Sequence, residues 1–318
     1  MKNEFLLLLS AILISCAPNE KPKGNMDGEQ GRSDALHIVL VTGDEEYRSE
    51  ESMPMLASIL SERYGFNTSV VYAISNGFID PNRQDNIPGL EILEDADLMV
   101  LFLRFRNLPD DQLRHILDYA ASGRPIAGFR TSTHAFQYGE GHPNHFLDFE
   151  WPQDVLGLPW ISHHGGSNST DVSVHENAKS HPILRGVEPF HARSWLYHAT
   201  TLHERAEPIL TGRAVEGAEP GGDYFGDPHV VAWTHSHQTE TSDSRVFFTT
   251  LGHPQDFFSE EMRRLSLQGF FWALGMEDQI PLEGLNVDFV SEYTPNPAGF
   301  GQQFKQGVRP EDVTQNRD

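Results

Sequence analysis

Continuous apolar runs alternate with helical patterns over the first 130 residues of the chain. The runs at 36–42, 68–74, 98–105 and 125–129 are rich in Val, Ile, Leu and Phe, which is typical of strands buried on both faces of a parallel sheet. Between them, residues 49–63 and 110–121 carry apolar positions at intervals of three and four, which predicts amphipathic helices. The alternation predicts an α/β fold with an open, mostly parallel, doubly wound sheet.

The remainder of the chain interrupts and then resumes this pattern. Residues 138–168 are rich in Gly, His, Pro and Trp and predict an inserted loop region. Further strands are predicted at 171–175, 208–211, 230–234 and 245–251, and a helix at 257–274. From residue 279 the chain is rich in Pro and Gly with scattered aromatic residues. We therefore predict one α/β domain over 35–278 and an extended C-terminal tail over 279–318 that wraps it.

The N-terminal residues have the features of an export signal. The apolar run from Phe5 to Ile14 is too short to span a membrane and fits the apolar region of a signal peptide. It leads into Leu13-Ile14-Ser15-Cys16, which resembles a bacterial lipobox; the alternative is an ordinary signal peptide with an incidental cysteine. We predict a lipoprotein signal peptide at 1–16, with Cys16 lipidated, and a flexible tether at 17–34. The protein would then be exported and anchored in the cell envelope, in the periplasm or at the outer membrane, touching the membrane through this anchor only.

Charge and cysteine content exclude several classes of function. The chain has 23 Lys and Arg against 46 Asp and Glu, a formal net charge of −23, which argues against a nucleic-acid partner. Cys16 is the only cysteine, so the mature domain has neither an internal disulfide nor a thiolate nucleophile.

Polar side chains follow the predicted strands at the sheet edge where open α/β sheets bind ligands. Asp44 and Glu46 follow the first strand and are candidates for acid–base chemistry or for binding sugar hydroxyls; alternatively, they are helix N-terminal charges. Tyr47 is a further substrate-binding candidate. Arg104 and Arg106 follow the third strand and would hold an anion or polarise a carbonyl, or else form salt bridges.

The fourth strand and the last one supply the other candidates. Arg130 lies at a strand-to-helix turn, where a buried charge requires a partner or a ligand, so we predict substrate binding. Ser132 is assigned to the same site, although the pattern is not Gly-x-Ser-x-Gly and a turn hydroxyl fits it better than a nucleophile. His134 and His253 are the predicted acid–base pair, with Asp256 orienting the second ring; the alternative for each is a structural histidine.

The 16 histidines also raise the question of a metal. No His-Glu-x-x-His or comparable ligand spacing is present, yet imidazoles from different loops can bind zinc. His163 and His164 in the inserted region are the predicted contributors to such a site or to a lid over the substrate. No cofactor is assigned on this basis, and a divalent metal such as zinc stays open.

A series of landmarks resembles a known family. These are Gly43-Asp44-Glu45-Glu46-Tyr47-Arg48, residues 181–186 (HPILRG), 230–234 (VVAWT), 245–253 (RVFFTTLGH) and 271–275 (FWALG). Their order and spacing over residues 36–275 are similar to the ThuA-like (trehalose utilisation) family. The resemblance implies a class I glutamine amidotransferase-like fold and a role in bacterial carbohydrate catabolism, including oxidised (keto) disaccharides.

The resemblance also bears on the reaction. Gly252-His253-Pro254 resembles the histidine-proline step of amidotransferases, but Arg130 stands where their cysteine would be. We therefore expect no glutaminase activity. Two hypotheses are left open: a hydrolase or lyase acting on a sugar or keto-glycoside through histidine and carboxylate groups, or a non-catalytic sugar-binding or accessory lipoprotein. Both imply a small-molecule carbohydrate partner, and neither fixes the oligomeric state.

Overall fold

The structure of the protein, a computed structural model, describes residues 35–315. The predicted signal peptide, lipobox and tether lie outside these residues. The described chain contains eleven strands and four α-helices. The strands are β1 His37–Gly43, β2 Asn67–Val71, β3 Ile74–Ser75, β4 Phe78–Ile79, β5 Leu98–Leu103, β6 Ile126–Phe129, β7 Asn168–Val174, β8 Phe190–Ala192, β9 Ala206–Glu216, β10 Tyr224–Gln238 and β11 Asp243–Thr249. The helices are α1 Ser49–Tyr64, α2 Asp110–Ala121, α3 Glu260–Ala273 and α4 Pro310–Gln315.

Nine of these strands form one mixed sheet in the order β2-β1-β5-β6-β11-β10-β9-β7-β8, while β3 and β4 pair separately. The four pairings from β2 to β11 are parallel, and the four from β11 to β8 are antiparallel. The α/β class is therefore confirmed, but the prediction of a mostly parallel sheet fits only one half. The physical reason is that β9, β10 and β11 follow one another through short turns, whereas a parallel connection needs a crossover of a dozen residues or more.

The parallel half is covered on both faces. In β1, Ile38 and Leu40 face the core layer that contains α1 and α3, while Val39 and Val41 face the layer that contains α2. Such two-sided burial explains why these strands are continuous apolar runs instead of alternating patterns. It leaves the carboxyl ends of the strands as the edge where polar side chains can gather.

The chain after α3 returns across the domain. Residues 280–309 contain neither α-helix nor strand, but they contact α1 and the loops at the strand ends. Gly299 donates its N–H to the carbonyl of Glu46 at 2.8 Å and accepts a hydrogen bond from the Arg48 guanidinium. This segment therefore forms part of the surface around the ends of β1 and β5. No helix among the described residues has the length and apolar character needed to cross a bilayer.

Candidate functional site

A cleft of about 640 Å³ opens at the carboxyl ends of β1, β6 and β11. Its wall combines loops that follow these strands with loops from the antiparallel half and with the C-terminal segment. Seven of the residues that line it are Glu46, Tyr47, Arg130, Asn168, Trp195 and His253, with Phe300 at the tail side. Four of the seven were predicted from the sequence. They come together because parallel strands end at a common edge.

Arg130 lies at the base of the cleft and is 1% exposed. It follows β6 directly with a left-handed backbone, φ 40°, the sharp strand-to-helix turn that the sequence indicated. Its guanidinium donates to the carbonyl of Thr250 at 2.9 Å and to the hydroxyl of Tyr47 at 3.0 Å. These neutral acceptors fix its position, and no carboxylate in residues 35–315 forms an ion pair with it, so the guanidinium can bind an anionic or electron-rich ligand oxygen.

Asp44 and Glu46 have separate environments although they are two residues apart. Asp44 is fully buried and accepts from the N–H groups of Glu46 at 2.6 Å and Tyr47 at 2.8 Å, and from the hydroxyl of Thr131. It does not line the cleft, so it positions the turn instead of meeting a substrate. Glu46 does line the cleft, and burial, followed by repulsion from Asp44, raises the pKa of its carboxyl.

The two arginines after β5 are held by a carboxylate that the sequence reading passed over. Glu45 forms ion pairs with Arg104 and, at 2.6 Å, with Arg106. Arg106 is fully buried and also donates to the carbonyls of Pro81 at 3.0 Å and Arg83 at 2.9 Å, so it is a structural residue. Arg104 reaches Glu46, with Nε and Oε2 3.3 Å apart, and therefore acts on the cleft through that carboxylate. The salt-bridge alternative thus describes both arginines.

His253 lines the cleft and is held in one tautomer. Its Nδ1 accepts a hydrogen bond from the Gln255 N–H at 3.2 Å, which assigns the ring proton to Nε2. Burial, assisted by Arg130 and Arg193, lowers its pKa to about 4, so the ring is neutral at physiological pH. Asp256 does not orient the ring as predicted. Its carboxylate accepts instead from the backbone N–H of His253 at 3.0 Å and from that of Arg193 at 2.6 Å.

His134 and Ser132 lie behind the cleft and do not line it. The His134 ring is 4% exposed and packs against Trp160 and Phe105, with centroids 4.7 and 4.9 Å away. Burial, followed by repulsion from Arg104 and Arg130, holds its pKa well below the usual value. Ser132 Oγ donates to the Leu101 carbonyl at 2.9 Å, the turn-hydroxyl role that the sequence favoured over a nucleophile. The predicted pairing of His134 with His253 is therefore not present in the cleft.

The sequence reading missed the residues that the antiparallel half and the tail contribute. Asn168 is 3% exposed, and its Nδ2 is held by the carbonyls of His164 and Gly165. Its Oδ1 accepts no hydrogen bond from any residue in 35–315. Trp195 adds a flat ring to the wall, and Phe300 lies against the guanidinium of Arg104 at 5.0 Å. Of these three, only Phe300 is an aromatic residue of a segment that the sequence marked by its aromatic content, the C-terminal tail.

Three other histidines form a compact group beside this wall. His164 precedes β7, His198 follows β8 and His229 lies in β10, and one ring nitrogen of each lies within 4.8 Å of those of the other two. The His164 and His198 rings stack at a centroid distance of 4.2 Å. His163, by contrast, packs on Trp195 at 4.9 Å and is not part of the group. Neither His163 nor His164 lines the cleft.

Comparisons with known proteins place the chain in a family. Two solved ThuA-like proteins share its fold: one from Parabacteroides merdae, with a TM-score of 0.51 and 17% identity over 76% of this chain and 90% of that one, and one from Bacteroides uniformis, with 0.50 and 15% over 77% and 95%. No curated protein matches the chain. The model of the ThuA family, described as trehalose utilisation, matches residues 38–273. The chain therefore belongs to the ThuA family.

Proposed function

We propose that this protein acts on a sugar or keto-glycoside in the cleft, with Glu46 as the acid–base group and His253 as a hydrogen-bond donor, and not as a glutamine amidotransferase. The observation that carries the proposal is that Glu46, His253 and Arg130 line one cleft. These three residues provide the cleft with a carboxyl group, a neutral imidazole and a cation, respectively. The family's link to trehalose utilisation supports a carbohydrate as substrate.

The polar groups of the cleft suit a polyhydroxylated ligand. The Oδ1 of Asn168 is an acceptor and the Nε of Arg130 a donor, and within residues 35–315 neither has a hydrogen-bond partner. Buried polar atoms normally have partners, so these two favour a ligand that supplies both an O–H donor and an oxygen acceptor. Trp195 provides the apolar surface on which a sugar ring face can pack. Sugar hydroxyls and ring faces match this combination.

The same groups fit proton abstraction next to a carbonyl. Burial raises the pKa of Glu46, which makes its carboxylate a stronger base than an exposed glutamate. Glu46 would take the C–H proton α to the keto group, and the electron pair would move onto the carbonyl oxygen. Arg130 and the Nε2–H of His253 would stabilise the resulting enolate. The enolate would then expel the glycosidic oxygen from the β carbon, and that oxygen would recover the proton from Glu46.

A non-catalytic sugar-binding role is the second candidate. The observation that favours it is the ion pair between Glu46 and Arg104, because a paired carboxylate is a weaker base. In either case we propose export and lipid anchoring at Cys16, which would place the cleft in the cell envelope.

The test is to incubate the purified protein with a 3-keto-disaccharide and with its unoxidised parent, and to follow the products by NMR. Glu46→Gln should lower turnover by roughly 100- to 10,000-fold, the usual effect of removing a general acid or base. His253→Ala should lower it by roughly 100- to 1,000-fold, the usual effect of removing one hydrogen-bond donor to a developing oxyanion. Glu62→Gln and His142→Ala, at exposed positions, serve as matched controls. Binding without turnover by the wild type would establish the accessory role. Absence of binding to both sugars would contradict both candidates.

A further inference from the structure

The cluster of His164, His198 and His229 has features that aromatic packing alone does not require. Three parts of the chain, far apart in sequence, each bring one imidazole to the same point. The centroids of His198 and His229 are 5.0 Å apart, and those of His164 and His229 are 5.4 Å apart. Tetrahedral zinc with bonds of 2.0–2.1 Å needs ligand nitrogens about 3.4 Å apart. Modest rotations of rings whose nitrogens already lie within 4.8 Å would reach that spacing.

We infer that His164, His198 and His229 form a zinc site, with one nitrogen of each imidazole as a ligand and a fourth position open to water. Three imidazoles are a donor set that Zn²⁺ accepts readily, whereas Mg²⁺ and Ca²⁺ prefer oxygen. Nδ1 of His164 lies 3.4 Å from the carbonyl of Leu196, an arrangement that directs Nε2 to the metal. No cysteine or carboxylate is needed.

The backbone next to His164 leaves room for this use. Gly226 follows the start of β10 with φ 64°, and a Cβ atom at this position would lie 2.3 Å from Nε2 of His164. Any side chain at 226 would therefore collide with the nitrogen that we assign to the metal. Two observations therefore favour glycine at position 226: its backbone is left-handed, and the absence of a side chain leaves Nε2 of His164 accessible to a metal ion.

The site would fix the wall of the cleft without belonging to its chemistry. The carbonyl of His164 accepts from Asn168, which lines the cleft, and His198 lies three residues after Trp195. Zinc would tie the loop before β7, the loop after β8 and strand β10 together, and metal binding adds its free energy to folding. The inference does not depend on the substrate, since it rests on these three side chains alone.

The experiment uses zinc alone as the ligand. A chelator removes bound metal from the purified full chain, zinc is added back, and the protein is analysed by inductively coupled plasma mass spectrometry and by thermal unfolding. We expect one zinc per chain, a rise in Tm of roughly 5–10 °C when free zinc is 100 times Kd, and an X-ray absorption spectrum with three imidazole nitrogens at about 2.0–2.1 Å. His198→Ala and His229→Ala should each weaken zinc binding more than about 100-fold.

Two comparisons between variants distinguish loss of the zinc site from a general effect of substitution on the protein. His142→Ala removes an exposed histidine outside the cluster and should leave zinc binding unchanged. Gly226→Ala and Gly221→Ala both place alanine at a left-handed position, but a Cβ at Gly221 would have no neighbour within 4 Å. We expect only Gly226→Ala to lose zinc, while circular dichroism shows both variants folded. Zinc retained by His198→Ala, or a spectrum dominated by oxygen ligands, would overturn the inference.

Discussion

At the scale of single residues, the strand ends are built around arginines with almost no solvent exposure. Arg48, Arg106 and Arg130 are each 0–1% exposed, and all three donate to backbone carbonyls. A buried charge needs such compensation, which is why the sequence could flag Arg130. The sequence could not tell which arginine faces a ligand. That depends on partners such as Glu45 for Arg106 and Tyr47 for Arg130, which only the fold brings within reach.

The tautomer and pKa of His253 lead to a pH prediction. In the folded protein its pKa is about 4, below the ordinary value of 6.5. Between pH 4 and pH 6.5 this ring is therefore protonated more often in the unfolded chain than in the folded one. The ring's contribution to the free energy of unfolding is therefore complete above pH 6.5 and is lost as the pH falls to 4, by at most about 3 kcal/mol. His253→Gln should flatten this slope in urea unfolding at pH 7, 5.5 and 4.5. His142→Ala should keep the wild-type slope, and an unchanged slope in His253→Gln would contradict the assignment.

At the scale of elements, the sequence predicted the bounds most accurately for elements that are long and whose buried residues recur at a regular spacing. Helix α2 has the predicted bounds, and β1 differs from its prediction by one residue. The antiparallel half was less readable because β9 and β10 are much longer than their apolar stretches, and β8 has only three residues. Pairing with neighbours, and not local composition, determines the length of such strands.

The N-terminal turn of α1 contains a buried acid that should make stability depend on pH. Burial raises the pKa of Glu50 to about 8, and its nearest cation, Arg48 Nη1, is 3.5 Å away. No residue in 35–315 forms a hydrogen bond with either carboxylate oxygen. Because the folded pKa lies above the unfolded value of 4.5, the contribution of this carboxyl to the free energy of unfolding should be complete below pH 4.5 and be lost as the pH rises through 8, by at most about 5 kcal/mol.

Glu50→Gln tests this at the same position. It should remove most of the decline in the free energy of unfolding between pH 5 and 8.5, measured by urea titration, and should make the variant more stable than the wild type at pH 8. Glu62→Gln, on the exposed face of α1, provides the control and should retain the decline. A Glu50→Gln variant that is less stable than the wild type at pH 8 would show that the carboxylate is charged and paired with Arg48.

At the scale of the whole molecule, the cleft exists only when distant segments meet. Its residues come from three strand ends, from the loops around β7 and β8, and from the tail. The sequence could indicate Glu46, Arg130 and His253 because each follows an apolar run. It could not indicate Asn168, Trp195 or Phe300, because no local pattern shows which loop of an antiparallel half or which part of a tail will reach that edge.

The tail should therefore be required for the cleft. A stop after Pro295 removes Gly299, which accepts from Arg48, and Phe300, which lies over Arg104. Loss of hydrogen bonds to buried charged groups should lower Tm by roughly 5–10 °C and make the chain more sensitive to proteases. A stop after Arg309 removes only α4 and the last residues and should keep the wild-type Tm within about 2 °C. Equal melting of the two truncated chains would contradict a structural role for the tail.

The left-handed turn at Arg130 has a consequence for engineering. Glycine would adopt φ 40° without steric strain, a relief of about 1–3 kcal/mol of backbone energy. Arg130→Gly would nevertheless lower stability, because it removes a buried side chain that donates hydrogen bonds to Thr250 and Tyr47. Ser167 is exposed, with φ 64° on the cleft wall, so glycine there would relieve strain without leaving a cavity. A search for thermostable variants that scored stability alone would therefore keep Arg130 and replace Ser167, a side chain of the cleft, by glycine.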